Sequence, residues 1–179
     1  MPSPIAHLYA GYYLYDISKS SFKSFSFGKK ELTAMLFFSI MPDLDALCGI
    51  ATGNMYACHN NISHSFFTGF TAALIVVGML KVFFKIKDYK KWMGMFLGCY
   101  YLHIIMDFFT FGRGCMLFWP FISHRYKFPY PIFYGLQWSE KLASVKHLYT
   151  FFNELVFILV LYFLKRYYLD KKVFNRKIK

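Results

Sequence analysis

The chain has 179 residues, enough for one domain, and carries a formal net charge of +12. Hydrophobic residues make up 57% of it and charged residues only 17%, well below their share in an ordinary soluble domain. This composition excludes a disordered chain, which would be poor in aliphatic and aromatic residues. It also argues against nucleic acid as a partner, because the basic residues would share their surface with too much Phe, Tyr and Leu. We therefore expect one all-α membrane domain over residues 1–179.

Five hydrophobic segments are predicted along the chain, and the first two are short. Residues 4–15 would reach only about 18 Å as a helix. Residues 31–47 contain a proline and two acids near their end. We expect these two segments to be tilted, re-entrant or half-buried between the other helices.

The other three segments are long enough to cross a bilayer. Residues 65–84, 92–106 and 148–164 each approach the ~20 residues that span a hydrocarbon core of ~30 Å. The stretch 112–147 between the last two is rich in Phe, Tyr, Trp, Pro and Gly. We expect a polytopic bundle of about five helical segments with an aromatic-rich loop on the membrane surface.

Most of the basic residues are clustered in three segments of the chain. Residues 19–30, 81–91 and 165–179 hold four, five and seven of the 21 basic residues. If the five segments alternate in direction, these clusters share one face, and the positive-inside rule makes that face cytoplasmic. The sequence thus predicts an integral protein of the inner or plasma membrane with a cytoplasmic C-terminus.

Ionisable side chains are concentrated near the ends of the predicted helices. An Asp at the centre of a membrane helix costs roughly 2.5–3.5 kcal/mol, so such residues are rarely kept without a function. With alternating directions, all of them fall on the extracytoplasmic face, opposite the lysine-rich clusters. This convergence predicts a single metal site there. The candidates are His7, Asp43, Asp45, His59, His64, His103, Asp107 and Glu154.

The spacing of some candidates suits metal binding. His103 and Asp107 are four residues apart and share a helix face, so imidazole and carboxylate can hold one ion together. Asp43 and Asp45 follow the helix-breaking Pro42 as a pair of carboxylates. The alternatives are plainer: a lone histidine in a membrane helix is more often a packing residue, and Asp43 after proline suits a turn.

The order of these motifs resembles a known family. It runs from an N-terminal His7 through P-D-x-D at 42–45 and H-x-x-x-x-H-S at 59–65 to H-x-x-x-D-x-x-T-x-G at 103–112. Over about residues 1–125 the chain resembles the LexA-binding, inner-membrane-associated metal-dependent hydrolase family. It is also similar, more distantly, to zinc-dependent phospholipase C enzymes.

The resemblance implies one or two divalent ions, most simply zinc, although manganese or iron also suits such N/O ligands. By this resemblance, one set of ligands is Asp45, His59 or His64, His103 and Asp107, and His7 belongs to another. A later histidine and acid of the phospholipase pattern are missing here, unless His147 and Glu154 replace them.

The leading hypothesis is a membrane-bound hydrolase that acts on a phosphoester or lipid-like ester through a metal-activated water. Asp43, as an orienting group or general base, and His64 are the expected catalytic residues. Arg113 and Arg125 lie on the same predicted face and could meet a phosphate. Besides the bilayer itself, the expected partner is a lipid or another amphiphilic substrate.

Two other functions fit the same residues. Intramembrane Asp and His also occur in cation or proton pathways, which would make the protein a metal- or proton-binding transporter. Alternatively, the metal could serve only stability in a structural or regulatory membrane protein.

Overall fold

A computed structural model describes residues 1–22, 24–54, 58–136 and 144–177. These residues form an all-helical bundle of five helical segments without a named strand, as predicted. The second segment is divided by a short 3₁₀ turn, Met41–Leu44. The helices are α1 (Pro4–Ser21), α2 (Lys29–Ile40), α3 (Asp45–Thr52), α4 (Phe66–Phe84), α5 (Tyr89–Phe108) and α6 (Val145–Lys177).

The helix boundaries follow local sequence signals. Ser3 caps α1 by accepting from the backbone N–H of Ala6, and Pro4 occupies the first turn, where a missing N–H costs nothing. Ser65 caps α4 in the same way, by accepting from the backbone N–H of Thr68. Pro42 interrupts the second segment and Gly53 ends it in a left-handed conformation, with φ of 67°.

Helix α5 is the centre of the bundle. It packs against α1, α2 and α4, and its buried side chains include Met95, Phe96, Cys99 and Ile104. Cys99 is buried within this apolar core, as expected for an inert small hydrophobe. The polar end of α5 is thereby surrounded by protein.

Helices α1 and α2 cross at very short distance. A Cβ at Gly11 would lie 2.8 Å from Cβ of Ser39, so only glycine permits this approach. The crossing brings the backbone of Ser39 close to α5, which becomes important at the candidate site.

By length and composition, three described helical segments are apolar enough to cross a membrane: Lys29–Thr52, Phe66–Phe84 and Val145–Tyr168. Two of these correspond to predicted spans, and the third contains the segment that we expected to be short. Helix α5 is not among them, although residues 92–106 were predicted to cross. Its lysines, tyrosines and the His103–Asp107 end lower its hydropathy, and its neighbours α1, α2 and α4 pack against it.

The chain between α5 and α6 is an irregular aromatic loop, as predicted for residues 112–136. Two isolated bridges hold it, one between Thr110 and Phe133 and one between Cys115 and Tyr126. Of the rest of the predicted loop, residues 137–143 lie outside the described residues, and residues 145–147 already belong to α6.

Candidate metal centre

The fold brings seven of the eight candidate residues together in one cluster at one end of the bundle. They are held by different elements: the second turn of α1, the 3₁₀ turn after α2, the start of α3, the loop before α4 and the last turns of α5. The seven are His7, Asp43, Asp45, His59, His64, His103 and Asp107.

Four side chains form an inner group with one potential ligand atom each. Nε2 of His64 lies 3.2 Å from Nε2 of His103 and 2.9 Å from Oδ2 of Asp107. Nε2 of His103 lies 3.6 Å from the same Asp107 oxygen. Oδ1 of Asp43 completes the group, 3.3 Å from His103 Nε2 and 3.6 Å from His64 Nε2. All four atoms can therefore contact one ion.

The size of this group fits a zinc-sized ion. Its five inter-ligand distances run from 2.9 to 3.6 Å. A tetrahedron whose ligands stand about 2.0 Å from its centre has edges of about 3.3 Å, in the middle of that range. Two imidazoles and two carboxylates are also a donor set that zinc accepts.

His64 and His103 each carry a hydrogen bond at Nδ1, which leaves the Nε2 lone pair directed towards the inner group. Nδ1 of His103 donates to the carbonyl of Ser39 over 2.7 Å, which requires the proton on Nδ1. Ser63 donates its hydroxyl proton to Asp45 over 2.6 Å, so it accepts from Nδ1 of His64 over 2.9 Å. Such outer partners are typical of metal-bound histidines.

The two lone pairs then face one another at 3.2 Å, an arrangement that a proton shared by the two nitrogens or a metal ion between them stabilises. Burial alone would lower the pKa of His64. The nearby carboxylates of Asp107, Asp43 and Asp45 nevertheless raise that pKa well above the usual histidine value. The carboxylates thus favour a positive charge at this point.

Buried carboxylate oxygens without hydrogen bonds provide a second test of the fit. Both oxygens of Asp43 and both of Asp107 are buried and form no hydrogen bond within the described residues. Leaving a buried carboxylate without compensation costs several kcal/mol. A bound divalent ion would compensate both carboxylates at once.

Asp45 lies behind the histidines rather than among the inner ligand atoms. Its Oδ1 accepts from Nδ1 of His59 over 2.6 Å, and its Oδ2 accepts from the backbone N–H of Asn60 and from Ser63. His59 consequently directs Nε2 towards Asp43, 3.7 Å away. Asp43, Asp45 and His59 form a second group that could hold an ion, and Asp43 is common to both groups.

His7 lines the buried side of the inner group. Its ring stacks on that of His103 with centroids 3.7 Å apart, and its Nε2 lies 3.5 Å from Oδ1 of Asp107. Neither ring nitrogen of this buried histidine has a hydrogen-bond partner among the residues that the structure describes. His7 is adjacent to the proposed ligands but outside the two groups.

Glu154 is the candidate that the fold does not bring into the centre. Its carboxylate accepts hydrogen bonds from the backbone N–H and the hydroxyl of Ser3, at the start of α1. The sequence placed Glu154 at the correct end of the bundle but could not show that the exposed N–H groups of α1 would engage it. Its position indicates a link between α6 and α1.

Replacing Glu154 with Gln should therefore weaken folding and leave metal content unchanged. The amide can accept only one of the two Ser3 hydrogen bonds, so we expect a loss of about 1–3 kcal/mol in stability. Thermal unfolding of the purified protein, with elemental analysis alongside, measures both quantities. Asp88→Asn, at an exposed position, is the control. Reduced metal with unchanged unfolding temperature would instead identify Glu154 as a ligand.

Arg125 supports the loops around the centre. Its guanidinium donates to the carbonyls of Asn60 over 2.7 Å and Gly114 over 3.2 Å, and to the side chain of Asn61. These bonds connect the segment that carries His59 to the aromatic loop. The expectation that Arg125 meets a substrate phosphate is therefore less well supported than a positioning role.

Sequence reasoning missed two supporting groups. Ser63 had a signal, because it stands beside His64 in a polar stretch. The carbonyl of Ser39 had none, since its proximity to His103 depends on the crossing of α1 and α2 at Gly11.

Together these features define an all-helical membrane protein with a buried cluster of histidine and aspartate at one end. The sequence profile of the YdjM inner membrane protein family matches residues 1–173. The chain belongs to that family, which confirms the predicted membrane location. No curated protein and no solved structure matches the chain significantly.

Proposed function

We propose that this protein is a membrane-bound, metal-dependent hydrolase of phosphoester or lipid-like ester substrates. The observation that carries the proposal is the convergence of Asp43, His64, His103 and Asp107 on one point at tetrahedral distances. Zinc is the ion that this donor set suits best. A divalent ion held there would lower the pKa of a bound water to ~7 and polarise a phosphoryl oxygen.

The open side of the centre is defined by the exposure of its side chains. Those of His64, His103 and Asp107 are completely buried, whereas 10% of the Asp43 side chain and 12% of the Asp45 side chain are exposed. Substrate and water therefore approach from the side of Asp43. Because four protein ligands already complete a tetrahedron, the catalytic water would take a fifth position on this side, the open position that a catalytic metal site needs.

His59 and Asp45 form the proton-handling pair on this open side. Nε2 of His59 faces Asp43 and can accept a proton from the attacking water, while Asp45 holds Nδ1–H in place. A carboxylate in this position also stabilises the imidazolium that forms. This assignment makes Asp43 a ligand and Asp45 an orienting residue, the reverse of the roles that the sequence favoured.

The rim of the open side supports an amphiphilic substrate. Leu44 and Leu47 are close to the aspartates in sequence, and Ile62 precedes Ser63, which donates to Asp45. All three expose large parts of their apolar side chains. A water-soluble substrate would gain nothing from such a rim, whereas a lipid could place its chains there and present its ester to the centre. The site on the extracytoplasmic face and the cytoplasmic C-terminus are part of this proposal and rest on the lysine distribution.

A transporter is less well supported by the described residues. Beyond the centre, the interior between α2 and α5 is filled by Met35, Phe38, Phe96 and Cys99. A cation or proton path would instead require polar groups distributed along the bundle.

Metal analysis and hydrolysis assays on one preparation test the proposal. We expect the protein, purified in detergent without chelators, to contain one or two equivalents of zinc. It should hydrolyse a chromogenic phosphodiester or micellar short-chain phospholipid, lose that activity with chelator and regain it with zinc. A metal-free protein contradicts the metal centre. Stoichiometric metal without hydrolysis of either substrate class contradicts the enzymatic role and favours a structural one.

A further inference from the structure

We propose that a groove between α1, α2 and α5, at the end of the bundle opposite the metal centre, binds an acyl chain of an anionic phospholipid. Lys90 at the groove would contact the headgroup phosphate. This inference is independent of hydrolysis and of any metal.

The groove has the shape and lining of a hydrocarbon site. Its volume is about 320 Å³, and the aromatic rings of Phe22, Phe25 and Phe27 line it together with Leu14. Met35 and Met95 also line it, and both are buried. Such a lining offers few hydrogen-bonding groups, so it suits a lipid chain better than a polar ligand.

Two glycines on one face of α5 keep the groove open. Gly94 and Gly98 are one turn apart and both line it. A Cβ at Gly94 would meet no atom within 4 Å, so the space beside it is not filled by protein. Glycine in a helix costs about 1 kcal/mol relative to alanine. The space is therefore maintained at some cost in helix stability.

The charges at the groove favour an anionic headgroup. Lys91 is buried and donates to Glu31 over 2.9 Å and to the carbonyl of Ser26 over 3.1 Å, which satisfies it within the protein. Lys90, beside it, is exposed, and no ion pair to it is found in the described ranges. Its ammonium is thus available to a phosphate, as lysines near membrane surfaces commonly are.

The positions of these residues set the orientation of the lipid. Eight residues separate Lys90 from Gly98, a distance of about 12 Å along the helix axis. A headgroup at Lys90 therefore places its acyl chain past Gly94 towards Gly98. Lys29 and Lys30, which begin α2, add positive charge at the same end of the bundle.

Native mass spectrometry of the full chain released from nanodiscs tests this site. The nanodiscs contain phosphatidylcholine with a minor fraction of phosphatidylglycerol. We expect the wild-type protein to retain one phosphatidylglycerol in preference to phosphatidylcholine. Gly94→Leu, which fills the groove, should reduce this retention at least tenfold, and Lys90→Glu should abolish the preference for the anionic lipid.

Matched variants separate the groove from general effects. Gly94→Ala raises the helix propensity at this position, as Gly94→Leu does, but its side chain is too small to fill the groove. It should therefore retain lipid like the wild-type protein. Gly78→Leu, at another glycine with no atom within 4 Å of its Cβ, controls for bulk on a helix surface. Lys87→Glu controls for net charge, since Lys87 is exposed and does not line the groove. Thermal unfolding of each variant establishes that it is folded.

Three results would overturn the proposal. Unchanged phosphatidylglycerol retention in folded Gly94→Leu means that no chain occupies the groove. Equal retention of the two lipids by the wild-type protein removes the role of charge. An equal loss of preference in Lys87→Glu and Lys90→Glu shows diffuse attraction to the basic surface instead of a site.

Discussion

Replacing Asp107 with Asn is expected to remove the bound metal and, with it, hydrolysis. The side chain of Asp107 is completely buried, and one of its oxygens lies 2.9 Å from His64 Nε2. The amide keeps the size of the side chain but removes its negative charge, which a divalent ion requires there. We expect metal content to fall to background and turnover to fall by about 1,000-fold, corresponding to about 4 kcal/mol of transition-state stabilisation.

Elemental analysis and the phosphodiester assay measure these two effects on the same sample. Asp88→Asn is the matched control, because it makes the same substitution at the exposed beginning of α5. His103→Ala, which removes a second proposed ligand from the same helix, should give the same loss of metal. An Asp107→Asn protein that is folded and retains full metal would exclude Asp107 as a ligand.

Hydrophobic runs predicted the positions of the helices well, but the helix ends were predicted accurately only where a local signal marks them. Helix α4 begins and ends within one residue of the predicted segment, because a cap at Ser65 and an uncharged run define it. Helix α6 extends to Lys177, far beyond residue 164. Lysine and arginine are good helix formers, so a helix continues through residues that a hydrophobicity pattern takes as its end.

The membrane spans were harder to assign because hydropathy does not distinguish lipid from protein as a neighbour. Residues 92–106 lack charge and were expected to cross the bilayer, but they lie in α5, which forms the buried centre of the bundle. Residues 31–47 were expected to be too short. The helix continues after the Pro42 interruption as far as Thr52, and the whole segment reaches 24 residues.

That the site residues lie at one end of the bundle could be predicted from the alternating directions of the helices alone. Helices that alternate place His7, Asp43 and Asp107 at the same face, and the structure brings these three together. The role of each side chain depends on which atom points inward. No spacing in the sequence could show that Asp45 would be engaged by three donors while Asp43 kept its oxygens free for the histidines.

The second large effect separates Asp43 from Asp45. We expect Asp43→Asn to reduce metal content to background, because Asp43 provides one of the four inner ligand atoms. Asp45→Asn should keep the metal with an affinity lowered about 10–100-fold, the usual effect of removing an outer partner of a ligand. Zinc titration against a chromogenic chelator measures both affinities.

Turnover at saturating zinc then tests the His59–Asp45 pair. An Asn at position 45 holds the Nδ1–H of His59 less firmly and cannot stabilise its protonated form, so turnover should fall by about 10²–10⁴-fold even with the metal restored. Ser63→Ala removes one donor to Asp45 without changing the charge, and should reduce turnover much less. If Asp45→Asn loses metal as completely as Asp43→Asn does, Asp45 is a ligand, as the family resemblance implied. If Asp43→Asn binds zinc like the wild-type protein, the inner group is not the metal centre, because its tetrahedral arrangement depends on that carboxylate.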